Sequence, residues 1–161
     1  MTKTARAHTN IALIKYWGKK DAILRIPLMS SLSMTLDAFY TDTSIEKGTD
    51  TNEFYLNDNK QSLANSQRVF NYIEKLQQRF NLDKENLVIK STNHVPTAAG
   101  LASSSSAFAA LAAAFCAYYH IDADKTLLSR LARIGSGSAS RSVFGGFSIW
   151  QKGDSDETSY A

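Results

Sequence analysis

Apolar residues along this chain fall into two rhythms, one of period two and one of period 3.6, and the segments in which each holds predict the elements. Residues 4–13 place small apolar side chains at alternate positions and end in a short apolar run, which predicts a strand entering a buried sheet. Over residues 31–56, β-branched and aromatic residues recur in runs at 33–36, 40–46 and 53–56, closed by Asn57, Asp58 and Asn59. That pattern predicts an antiparallel meander.

Val69, Tyr72, Ile73, Leu76 and Phe80 then repeat at helical spacing, with Arg68, Glu74, Lys75, Gln78 and Arg79 mostly opposite, so an amphipathic helix is predicted over 62–80. A strand follows at 87–91. Phe108, Leu111, Ala112, Phe115 and Tyr119 mark one face of a second helix, built mainly of alanine, the best helix former and one that permits close packing on a sheet. Leu127, Leu128, Leu131 and Ile134 mark a third helix over 124–134, with Asp122 or Asp124 as its N-cap and Gly135 as its stop. Gly145 and Gly146 predict a close backbone approach ahead of a strand at 147–150. The pattern gives strands and helices mixed along the chain without their order in a sheet, and no repeat, linker or charge block divides it.

Composition narrows the class without naming a chemistry. The 161 residues, 43% hydrophobic and 20% charged with two prolines, describe an ordinary globular chain and exclude a disordered or collagenous one. The formal charge of +3 is too small to point to nucleic acid, yet it suits a local pocket for an anionic small molecule. Cys116 is the one cysteine, so no internal disulfide forms. The first residues lack the apolar stretch of a secretory signal, and the apolar run over 107–119 is shorter than the roughly 20 residues a bilayer requires. A cytoplasmic protein with no membrane contact is expected.

Two stretches carry candidate chemistry. Pro96-Thr97-Ala98-Ala99-Gly100-Leu101-Ala102-Ser103-Ser104-Ser105-Ser106 lies between a predicted strand and a predicted helix. Small residues let backbone N–H groups approach an anion, the free N–H groups of a helix start point at it, and hydroxyls add donors. The loop lacks the lysine of a Walker motif, leaving Lys15, Lys19 and Lys20 as candidate cations. The alternative is that the serines only cap the helix. The second stretch, Gly135-Ser136-Gly137-Ser138-Ala139-Ser140-Arg141-Ser142, sets one arginine among hydroxyl and N–H donors, an arrangement suited to bidentate recognition of carboxylate or phosphate. A surface turn is its alternative. His8, His94 and His120 show no metal-ligand spacing with Cys116, which reads as a small packed hydrophobe. Trp17 and Trp150 read as core or as pocket walls.

The string Asn10-Ile11-Ala12-Leu13-Ile14-Lys15-Tyr16-Trp17-Gly18-Lys19 closely resembles the N-terminal signature of mevalonate diphosphate decarboxylases, members of the GHMP kinase superfamily. The stretches 96–104 and 136–147 match further patterns of that family. The resemblance implies an α+β fold, a GHMP-kinase N-terminal domain like the second domain of ribosomal protein S5, with a sheet backed by helices. It implies ATP-dependent conversion of mevalonate 5-diphosphate to isopentenyl diphosphate, in which the tertiary hydroxyl is phosphorylated before phosphate and carbon dioxide leave. Mg2+ accompanies the ATP.

By position, Gly100, Leu101, Ala102, Ser103, Ser104 and Ser105 are expected to hold ATP phosphates, with Ser104 facing the transferred group or the metal, and Ser91 and Asn93 near the base. Tyr16, Lys19, Ser136, Gly137 and Ser138 are expected at the substrate diphosphate. Arg141, with Asn10, is expected at the carboxylate, and Lys15 is a further catalytic candidate. Family members are about twice as long, and their catalytic aspartate lies in the second half. The resemblance therefore implies the N-terminal domain of a longer enzyme, inactive alone, with a homodimer possible for the family. A GHMP-type mevalonate or phosphomevalonate kinase without decarboxylation, and an anion- or RNA-binding module, are the competing readings.

Overall fold

The computed structural model describes residues 3–95 and 103–161. In chain order the elements are β1 (Thr4–Ile14), β2 (Lys19–Asp21), β3 (Ile26–Pro27), β4 (Ser31–Lys47), β5 (Glu53–Leu56), β6 (Asn59–Lys60) and α1 (Leu63–Arg79). Then come β7 (Leu87–His94), α2 (Ser103–Tyr118), α3 (Lys125–Gly135), a 3-10 helix (Gly137–Arg141) and β8 (Phe147–Trp150). The main sheet runs β1-β4-β7-β5-β6, while β8 pairs with the first part of β4, and β2 and β3 form a separate hairpin.

The meander expected over 31–56 does not form. β4 is one strand of 17 residues whose pairing with β1 is irregular at two points, jumping from His8↔Tyr40 to Asn10↔Thr35 and shifting again between Ala12↔Ser33 and Ile14↔Leu32. The residues that suggest a turn between two strands are a bulge within one. β5 then lies beyond β7 and runs parallel to it, with Phe54 opposite Ile89. Parallel neighbours need a crossover, and α1 supplies it. Period-two alternation tells which face of a strand is buried but not which strand lies beside it.

The buried face of the sheet is made of small side chains. Ala5, Thr43 and Ser91 form one cross-strand row, and Ala7, Thr41 and Asn93 the next. Against these sits α2, whose Ala109, Ala110, Ala112 and Ala114 are all buried, so small residues on both sides bring the helix close to the strands, as the alanine content predicts. Ile45, Tyr72, Leu76, Leu87, Ile89, Phe115 and Leu131 fill the remaining core between sheet and helices.

Local signals explain the helix ends. Ser62 caps α1, its Oγ accepting from the Asn65 N–H at 3.3 Å, and Asp124 rather than Asp122 caps α3, accepting from the Leu127 N–H at 2.7 Å. Gly135 closes α3 for a different reason than a left-handed cap. A Cβ there would lie 2.1 Å from Phe108 Cδ1, so glycine is needed for close packing of α3 on α2. The close approach expected at Gly145 and Gly146 is absent, since a Cβ at either meets nothing within 4 Å. Gly146 is required instead by its φ of +68°. No helix among the described residues is long and apolar enough to cross a membrane.

Candidate active site

The segment that follows α3 turns back under the sheet and brings Arg141 inside. Its guanidinium is only 2% exposed, donating from Nη1 to Ser31 Oγ and from Nη2 to Asn10 Oδ1 at 3.4 Å. Asn10 Nδ2 in turn donates to the Ser138 carbonyl at 2.9 Å and to Ser142 Oγ at 2.7 Å. Among the described residues Arg141 has no carboxylate partner, and its Nε is buried with no acceptor. Burial pushes its pKa below the ordinary arginine value, opposed in part by the nearby Tyr16. A cation taken out of water without a counter-charge is costly, and an anionic ligand is the chemical complement that removes the cost.

Tyr16 stands beside it. Its ring meets the edge of Trp150 at 4.7 Å between centroids and 73° between planes, and a Cβ on Gly137 would sit 2.5 Å from Tyr16 Oη. Three hydroxyls extend the site toward α2, with Ser104 Oγ at 3.4 Å from Ser136 Oγ, which is 3.3 Å from Ser138 Oγ. The two candidate anion-binding stretches separated in sequence therefore meet through Ser104 and Ser136. The start of α2 is held by a chain of buried hydroxyls, Thr9 to Ser106 at 3.1 Å and Ser106 to Thr41 at 2.8 Å, ending on Asn93 Oδ1 at 3.0 Å from Thr41.

A cavity of about 160 Å³ opens beside that helix start, lined mainly by apolar residues such as Phe54, Val69 and Leu111 together with Ser91, Asn93, Ser103 and Ser104. Ser91 Oγ is engaged by Thr43 at 2.8 Å, and the Asn93 N–H donates to Asn57 Oδ1 at 2.8 Å. Ser105 is buried in α2. Gly100, Leu101 and Ala102 lie outside the described residues. Lys15 and Lys19 flank Tyr16 with exposed side chains and form no ion pair among the described residues. Lys20 pairs with Asp154 at 3.1 Å, away from the hydroxyl cluster's own contacts.

Ser31 and Arg25 carry no signal that the sequence reading caught, and of the two tryptophans read as core or pocket walls one is buried and the other exposed. Ser31 holds Arg141, and Trp150, wholly buried, forms the wall behind Tyr16, whereas Trp17 is 72% exposed. Arg25 Nε donates to the Ile134 carbonyl at 2.9 Å and Arg68 Nη2 to the Gly135 carbonyl at 3.0 Å, which sets two cations at the end of α3 immediately before Ser136. Arg68 falls on the polar side of the α1 periodicity, where an arginine passes for a solvated charge. No group of three or more His, Cys, Asp or Glu among the described residues could hold a metal.

The diphosphomevalonate decarboxylase-like N-terminal domain family matches residues 7–161. The chain belongs to this family. The diphosphomevalonate decarboxylase of Ganoderma lucidum is 41% identical over 94% of this chain and 42% of its own length. The solved mevalonate diphosphate decarboxylase of Enterococcus faecalis superposes with a TM-score of 0.93 at 48% identity, covering 99% of this chain and 50% of that one. MDDEF in complex with MVAPP, AMPPCP and magnesium gives 0.92 at 48% identity, over 99% and 49% of the two chains. The chain thus spans about half the length of the relatives it matches, and its α+β architecture is the GHMP-kinase fold that the signature at residues 10–19 implies.

Proposed function

We propose that this chain forms a single GHMP-type N-terminal domain that binds ATP and mevalonate 5-diphosphate for ATP-dependent decarboxylation to isopentenyl diphosphate. The observation that carries the proposal is the buried, acid-free guanidinium of Arg141 beside Tyr16 and the Ser104, Ser136 and Ser138 hydroxyls. The substrate has one carboxylate and one diphosphate, and the site has two kinds of anion recognition to match. Arg141 is assigned to the carboxylate, with Nε as the donor still free among the described residues. Asn10 Oδ1 accepts from the guanidinium and helps to fix its place. Tyr16, Ser136, Gly137 and Ser138 are assigned to the diphosphate, with Lys19 closing from solvent.

Ser104, with Ser103 and Ser105 in the first turn of α2, is assigned to the ATP phosphates, and the adjoining cavity with Ser91 and Asn93 to the base. The neutral hydroxyl oxygens of Ser104 and Ser136 fit a Mg2+ that arrives on phosphate, because that ion keeps waters and phosphate oxygens and needs no all-protein cage. Bound there, magnesium supplies neutralisation of phosphate charge. The chain's own part is positioning and electrostatics, the main levers in phosphoryl transfer. A carboxylate held by a partly desolvated guanidinium stays oriented while its electrons remain available for loss of carbon dioxide.

Calorimetry of the 161-residue chain with mevalonate 5-diphosphate and with the ATP analogue AMPPCP tests the reading. Saturable binding of both is expected. Absence of mevalonate diphosphate binding, or equal binding of RNA that weakens with salt, overturns it.

A further inference from the structure

The residues assigned to the substrate come from separate elements, yet three of them abut one side chain that makes no contact with ligand in that assignment. Trp150 lies in β8 with no exposed surface. The edge of the Tyr16–Trp150 ring pair, the approach of a Gly137 Cβ to within 3.0 Å of Trp150 Cη2, and the Arg141 Cζ at 5.9 Å from the indole centroid all meet there. Trp150 is also the register partner of Ser31, which accepts from Arg141, so the β4–β8 ladder sets the wall and the hydrogen-bond acceptor of the guanidinium together.

The indole is fixed from behind. Its Nε1 donates to Ser159 Oγ at 3.1 Å, and that hydroxyl donates to the Gln151 carbonyl at 3.2 Å. The Ser159 carbonyl accepts from Arg133 Nη1, whose Nη2 pairs with Asp156 and whose Nε donates to the Leu24 carbonyl at 2.8 Å. Trp150, Ser159, Arg133 and Asp156 are all buried, and the path leads from α3 through the last residues of the chain to the back of the indole. An aromatic ring with one polar atom is well suited to this task, since the N–H pins its rotation while its faces and edges set its neighbours.

We infer that Trp150 is a positioning residue of the substrate site, locked by Ser159 and Arg133, and that it sets the places of Tyr16, Gly137 and Arg141 for mevalonate 5-diphosphate. The inference rests on the functional reading above. It distinguishes the substrate side from the nucleotide side, because Trp150 makes none of the contacts that hold the start of α2 or its adjoining cavity.

The test measures affinity for mevalonate 5-diphosphate and for AMPPCP, by calorimetry, in W150F and S159A, with far-UV circular dichroism to establish folding. W150F removes the pinned N–H and narrows the wall, and S159A removes only the pin. The expected result is loss of affinity for mevalonate 5-diphosphate by about tenfold in S159A, and by more in W150F, with AMPPCP affinity held within about twofold. Unchanged affinity for mevalonate diphosphate in both variants overturns the inference. A parallel fall for both ligands also overturns it, as general loosening, and so does failure of both variants to fold. A wild-type chain that binds no mevalonate diphosphate overturns the functional reading itself and takes this inference with it.

Discussion

Arg133 and Asp156 form an ion pair inside the protein, with the guanidinium fully buried and the carboxylate 8% exposed. Arg130 and Arg79 bind the second carboxylate oxygen, Arg79 at 2.5 Å, so one acid answers three cations. Burial alone would raise the Asp156 pKa, but hydrogen bonds from Arg130 and Arg79 outweigh it and hold the group down at about 2. The pair joins the last residues of the chain to α1 and α3.

Stability should therefore depend on acid in a defined window. The folded carboxyl gives up its proton more readily than the unfolded one, near 3.9, so its contribution is complete above about pH 4 and is lost as pH falls through 2. The difference amounts to about 3 kcal/mol. Asp156→Asn leaves buried guanidinium groups without a counter-charge and should cost about 3 kcal/mol at neutral pH. Urea midpoints of both proteins from pH 7 to pH 2.5 check this. The gap between them should narrow below pH 4, and a constant gap would show that Asp156 does not carry the linkage.

Arg141 should behave in the opposite sense, because it is buried without an acid. Replacing it with methionine removes an uncompensated charge and fills similar volume, so the ligand-free protein is expected to gain about 1 kcal/mol. Affinity for mevalonate 5-diphosphate should fall by about 100-fold in the same variant, with AMPPCP affinity retained. Arg141→Lys should not restore binding, since a point charge cannot reach Ser31, Asn10 and a carboxylate at once. Denaturation and calorimetry on the same samples decide the matter, and a variant that loses stability along with affinity contradicts it.

How far these features were legible from sequence depends on what each residue's role requires. Tyr72, Ile73 and Leu76 declare the buried face of α1 by spacing alone, and Asp122 and Asp124 narrow the start of α3 to one of two residues, because those effects act within a few residues. Phe54 declares a strand but not its parallel partner, since the neighbour is chosen by the α1 crossover. The donor chemistry of Arg141 and Ser136 was readable from residue type. The absence of an acid around Arg141 was not, because it depends on Asn10, Ser31 and Trp150 converging from β1, β4 and β8. Trp17 and Trp150 are alike in sequence and opposite in burial, since the first lies past the end of β1 and the second pairs inside the sheet at Ser31.

Cys116 offers a probe that leaves the site alone. Burial raises its thiol pKa to about 11, so at pH 8 it is protonated and shielded. As the chain's one cysteine, it should resist a thiol reagent such as dithiobis-nitrobenzoate in the native state and release one equivalent in urea. Rapid native labelling at pH 8 would be inconsistent with the packing of α2 on the sheet.

Gly137→Ala tests whether the site needs bare backbone where the two candidate anion-binding stretches meet. The added methyl would stand 2.5 Å from Tyr16 Oη, closer than carbon tolerates, and 3.0 Å from Trp150 Cη2, a tight contact that requires a shift of a few tenths of an ångström. Of the two obstacles the phenol end moves more easily, because Tyr16 is partly exposed while Trp150 is enclosed and pinned by Ser159. The strain should thus be relieved by swinging Tyr16 out of the site, at a stability cost of about 1 kcal/mol and a loss of substrate affinity of about tenfold. Adding Tyr16→Phe removes the clashing oxygen. The double variant should recover the stability of Tyr16→Phe alone while remaining weak toward mevalonate 5-diphosphate. Thermal melts and calorimetry of the three variants separate the steric term from the lost phenol contact, and additive stability losses would place the clash at Trp150 instead.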